Sequence, residues 1–248
     1  MRNQNEARND LSPMPLDVLS NKLLASPRPC DQRQGRDIRR LLDLSGTLWA
    51  GRVEPLCASP VEGRKYAVLM HLNTPGLVWQ EQPVIHDRWT LVLVLTSNYP
   101  MAIAQARFAQ VIPYCPHVCQ RRFAPTEAEC PPELREFITA LRQGAEGYCC
   151  YARQEQWSPD AAHDLALVVW QISRLLCGAA FHGELGTLNR HALACYIDLA
   201  RQNKLPIGTA ETPPLAALPL PIDTGAAPAV MLDAAGDDVE WLSNEPEN

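Results

Sequence analysis

The chain is read outward from Gly147-Tyr148-Cys149-Cys150-Tyr151, which runs on through ARQEQ to Trp157-Ser158-Pro159. Cys149 stands eight residues ahead of Trp157, Ser158-Pro159 follows, and a long helical pattern begins at once. A cysteine on a loop that enters a helix is within reach of large partners. Its thiolate both attacks acyl groups and leaves readily, so covalent acyl chemistry is the first class to consider. Two further stretches lie upstream: Tyr114-Cys115-Pro116-His117-Val118, and Tyr99-Pro100 at the end of an apolar run.

Around these stretches the pattern alternates between strand and helix. Residues 65–72 (KYAVLMHL) and 89–96 (WTLVLVLT) are apolar, rich in β-branched residues and too short for isolated helices. Residues 105–112 form a third run ending near Pro113, and a weaker one lies around 53–57. Asn73-Thr74-Pro75-Gly76 carries turn chemistry. Short links between consecutive strands predict an antiparallel meander. Helices are predicted over 35–48, 133–142, 160–177 and 189–202, from apolar residues at helical spacing. The order makes an α+β domain, with helices at both ends of the chain packed on one sheet.

Domain limits follow from composition. Residues 1–34 are polar and hold Pro13, Pro15, Pro27 and Pro29, which reads as a loosely held extension with one or two helical turns at Leu16, Leu19 and Leu23. Residues 35–203 make the folded domain, with a helical insertion at about 119–146, and 204–248 form a Pro/Ala-rich acidic tail with the composition of disorder. From Leu205 onward there are eight acidic residues and no basic ones; removing them takes the net charge from −6 to +2. No basic stripe points to nucleic acid. No run is long enough to span a bilayer, and no apolar signal segment opens the chain. Nine cysteines, an odd number, suit a reducing cytoplasm where they stay thiols.

The ordered spacing of these stretches resembles the ubiquitin-conjugating enzymes. That family has a strand ending in Tyr-Pro, then a further strand, the triplet His-Pro-Asn, a Gly-x-x-Cys, seven residues, and Trp-Ser-Pro before a helix. Here Tyr99-Pro100 leads through Phe108 to Cys115-Pro116-His117, with one extra residue at about Pro113. Gly147 is followed after one residue by Cys149, which has the family spacing to Trp157-Ser158-Pro159. The match covers roughly 35–200. It departs in three places: His117 stands for the asparagine, Cys115 for the histidine, and more than twenty extra residues separate triplet from cysteine.

The resemblance implies a transferase of divergent, bacterial type. An activating enzyme hands it a ubiquitin-like protein, which it carries as a Cys149 thioester and passes to an amine on a protein target, without a cofactor. Cys149 would be the nucleophile, Cys150 the neighbouring apolar position, and His117 a supporting donor or base. Met101 and Pro159 would touch partner proteins. Bacterial relatives of this kind imply a setting in anti-phage defence. Three alternatives remain open: a Cys-His thiol hydrolase, a non-catalytic domain that binds ubiquitin-like proteins, and an interaction domain held by zinc on Cys115, His117, Cys119 and Cys130. The expected site contains no metal.

Overall fold

In the computed structural model the described residues are 12–61, 65–123, 146–152, 157, 163–180, 187–209 and 215–216. Five strands pair antiparallel in sequence order: β1 Val53–Val61, β2 Lys65–Gln80, β3 Gln82–Leu95, β4 Gln105–Ala109 and β5 Tyr148–Cys149. The alternation in β2 and β3 fixes their faces. Met70 pairs with Leu91, Val68 with Leu93 and Leu72 with Trp89, and all six are fully buried. The α+β class and the meander follow from this pairing.

Two turns differ from the sequence expectation. Asn73–Gly76 does not reverse the chain; β2 runs through it to Gln80, and the reversal comes at Glu81, where φ is 62°. The pairing steps by one residue between Asn73 and Gly76, a bulge in which Thr74 and Pro75 face Asp87 alone. A bulge tolerates the missing proline N–H. Trp89 shapes it from the partner strand: its indole N–H donates to the Thr74 carbonyl at 2.8 Å, and a Cβ on Gly76 would lie 2.8 Å from the indole ring. β4 stops at Ala109, three residues short of expectation, with Gln110 at φ 65°.

The helices cover the apolar face. α1 (Leu16–Leu24) buries Leu16, Leu19 and Leu23 and packs on α2 and β1. α2 (Pro29–Gly46) begins six residues earlier than predicted, because Pro29 fits the first helical turn, where its missing N–H costs nothing. α3 (Leu165–Cys177) lies against β2 and α2. Asp164 caps it by accepting from the Leu167 N–H at 2.9 Å, and also pairs with Arg40 of α2 at 2.6 Å. α4 (Arg190–Arg201) is capped by Asn189. A single turn at Pro206–Thr209 then packs on β2. Leu215 is buried, and the Trp49 indole donates to the Ala216 carbonyl at 3.0 Å, so residues 215–216 still engage the core. The predicted helix at 133–142 and residues 217–248 lie outside the described residues. Among the described residues no helix is long and apolar enough to cross a membrane.

Candidate functional site

The triplet and the cysteine pair, 115–117 and 149–150, are far apart in sequence and adjacent in space. Gly147 makes the join. Its φ of 80° suits glycine, and a Cβ there would sit 2.3 Å from the Phe108 carbonyl oxygen. Its carbonyl accepts from the Phe108 N–H at 2.8 Å, while its own N–H donates to the Cys119 carbonyl at 2.9 Å. From there β5 pairs with β4 on one side, Cys149 opposite Ala106, and with the triplet segment on the other, Cys149 opposite Val118.

The bonding pattern sets which side chains share a face. The Cys119 N–H donates to the Tyr148 carbonyl at 2.8 Å, and the Cys150 N–H to the His117 carbonyl at 2.9 Å. Those two bonds flank Val118 and Cys149, which are therefore a non-hydrogen-bonded pair with side chains on one side. Both belong to the main core. Along the backbone His117 then lies opposite Cys150, and Cys119 opposite Tyr148, whose side chains take the other side. There Cys119, Tyr148, Cys150 and Leu188 form a separate small cluster. His117 is 3% exposed, Cys149 1%, and Cys150 half-buried.

The triplet segment is irregular yet buried from Pro113 to Gln120. Its backbone groups must find partners inside the protein. The Tyr114 N–H donates to the Leu77 carbonyl at 2.7 Å, and the Val118 N–H closes a turn onto Cys115 at 3.1 Å. The Pro116 carbonyl accepts two N–H groups from the start of α4, Leu188 at 2.8 Å and Asn189 at 3.0 Å. Gln120 donates to the Ile112 carbonyl at 3.2 Å and accepts from the Asn189 side chain at 3.1 Å.

Burial decides the electrostatics of the thiols. It pushes the Cys149 thiol well above its ordinary range, and the neighbouring Cys115 and Cys150 thiols add to the rise. Cys115 is pushed up to about 12, chiefly by burial, and donates weakly to the Leu175 carbonyl at 3.6 Å. Cys119 is also raised, by burial first. A buried thiol that stays protonated is a poor nucleophile.

The expected residues thus separate. His117 comes opposite Cys150 along the backbone ladder, while Cys149 belongs to the main core. Met101 lies just beyond Tyr99-Pro100 and is 64% exposed. Pro159 lies outside the described residues. Trp157 packs against the Tyr-Pro stretch: its indole donates to the Pro100 carbonyl at 2.6 Å, with its ring 6.2 Å from that of Tyr99. Beneath them the Tyr99 hydroxyl donates to Asp37 of α2, which also pairs with Arg33 at 2.7 Å. Burial raises the Asp37 carboxyl to about 6 against the lowering effects of Tyr99 and Arg33. For zinc, Cys115 belongs to the main core and Cys119 to the small cluster, and Cys130 is outside the described residues. Among the described residues no three His, Cys, Asp or Glu side chains gather to hold a metal ion.

Sequence reasoning placed Cys150 at an apolar neighbouring position and did not single out Gln120, Asn189 or Asp37. One signal pointed to Cys150: counted from Gly147, a Gly-x-x-Cys spacing ends on it. Asn189 is recognisable in sequence as a helix cap, but not as a brace for a loop some seventy residues earlier. No protein-family model, curated protein or solved structure matches this chain.

Proposed function

We propose that the protein is a ubiquitin-conjugating-like carrier, with a fold of that kind, in which Cys150 rather than Cys149 holds the thioester. The pairing that sets Cys150 opposite His117 carries this reading. It joins two sequence stretches that only the family order had connected, and the contact of Trp157 with Pro100 joins two more.

The chemistry runs in two exchanges. The Cys150 thiolate attacks the thioester carbonyl on an activating enzyme; its C–S bond forms as the donor's C–S bond breaks, and the donor cysteine leaves as thiolate. An amine on a protein target then attacks the Cys150 thioester. A C–N bond forms, the C–S bond breaks, Cys150 leaves as thiolate, and the amine proton passes to a base. His117 serves as that base or as a hydrogen-bond donor to the oxygen on which charge grows. Exposed Met101 is a partner contact of this reading, with Pro159 as the second. Setting the reaction in a bacterial defence system belongs to the same proposal.

The experiment is loading. Incubated with a ubiquitin-like protein, its activating enzyme and ATP, the wild type should form an adduct that thiol reductant removes. Cys149→Ser should keep it and Cys150→Ser should lose it. Retention in both single variants defeats the carrier reading, and loss only in Cys149→Ser moves the thioester back to Cys149. A loaded protein that discharges to water as fast as to added amine is a Cys-His hydrolase instead.

A further inference from the structure

We propose that Asn189 is the positioning residue of this site, holding His117 in register with Cys150; the proposal rests on the carrier reading above. An asparagine that only caps a helix uses one side-chain oxygen. Asn189 does this for α4, accepting from the Ala192 N–H at 2.9 Å. It does two further things. Its side-chain NH₂ donates to Gln120 Oε1 at 3.1 Å, and its main-chain N–H donates to the Pro116 carbonyl at 3.0 Å. Gln120 extends the brace to the Ile112 carbonyl. One fully buried residue therefore ties down the middle of the 112–120 segment directly and both of its ends through Gln120.

The consequence for the site is geometric. Pro116 has no N–H, so its carbonyl is its one backbone handle. Two donors fix that carbonyl, and the peptide that carries it leads directly into His117. The His117 carbonyl in turn receives the Cys150 N–H. The Asn189 side chain secures the end of this segment at Gln120, and slack there lets the 116–120 stretch shift along the ladder relative to Cys150; a misplacement of about 1 Å can cost a reaction on the order of a hundredfold.

In the full-length protein Asn189→Ser removes the side-chain arm of the brace, the bond to Gln120, and keeps both the cap and the main-chain bond to Pro116. Serine caps a helix about as well as asparagine, but it cannot reach Gln120 with an amide donor. Two readouts apply: the pH profile of iodoacetamide reaction at Cys150, resolved by peptide mass, and single-turnover discharge of the loaded thioester to an amine. Asn189→Ser should keep the thermal midpoint within a few degrees and load to the wild-type extent. Its discharge should slow by about tenfold or more, and its alkylation profile should move towards that of His117→Ala. If it folds poorly, Asn189→Asp, which also caps without donating, is expected to show the same profile shift. Wild-type discharge and a wild-type profile in a folded variant would overturn the proposal and leave Asn189 a helix cap. If the wild type never forms a thioester, the carrier reading fails, and the alkylation profile still decides the role of Asn189.

Discussion

β5 and the Cys150 that follows it present two unlike faces. The face of Cys149 closes the main core against Val118, and its thiol is held protonated by burial. Cys150 packs with Cys119, Tyr148 and Leu188 in a separate small cluster, and its N–H donates to the His117 carbonyl. Two neighbouring cysteines are thus sorted by pleat: one is packed in the main core, the other is half-buried beside a separate small cluster. Register is the physical variable, because a slip of one residue would exchange their roles.

Register can be attacked most severely at Gly147. Gly147→Ala places a methyl 2.3 Å from the Phe108 carbonyl in a left-handed backbone. A loss of about 3 kcal/mol or more is expected from strain and overlap together, measured by denaturant unfolding. Wild-type stability in this variant would mean that the strand does not enter the sheet as described.

A titration sharpens the core side. Asp37, under the Tyr99 hydroxyl and beside Arg33 and Asp164, has its carboxyl raised from 3.8 to about 6. The folded state holds that proton more tightly than the unfolded chain does. The resulting stability is present below about pH 4 and is lost as pH rises through about 6. Stability of the wild type relative to Asp37→Asn should fall across that window by on the order of 1–3 kcal/mol. A difference that stays flat with pH would contradict the buried carboxyl.

The smallest effects compare the cysteines themselves. Cys149→Ser puts a hydroxyl into the core and should cost about 1–3 kcal/mol. Cys150→Ser should change stability by less than about 0.5 kcal/mol, as expected at a site away from the core. Equal costs would erase the distinction between the faces.

These contrasts also explain what could be read beforehand. The β2–β3 pairing was legible because Val68, Met70 and Leu72 alternate with polar or less buried neighbours, and so were the main helices. The reversal at Asn73–Gly76 was misread because turn residues also make bulges, and only Trp89 on the partner strand decides between the two. Leu16, Leu19 and Leu23 were visible as an apolar spacing, but their burial depends on α2 and β1. The cysteine assignment was ambiguous by one because the counts from Gly147 and from Trp157 disagree. The ladder between 117–119 and 148–150 spans a long sequence gap, and its register is carried by main-chain bonds that side-chain identity does not encode.

The direct measurement is the rate at which each cysteine of the native wild-type protein reacts with iodoacetamide near neutral pH, resolved by peptide mass. Cys150 should react at least about tenfold faster than Cys149, whose reaction must wait for the strand to open. Faster reaction at Cys149, or equal rates at both, would contradict the proposal of Cys150 as the carrier thiol.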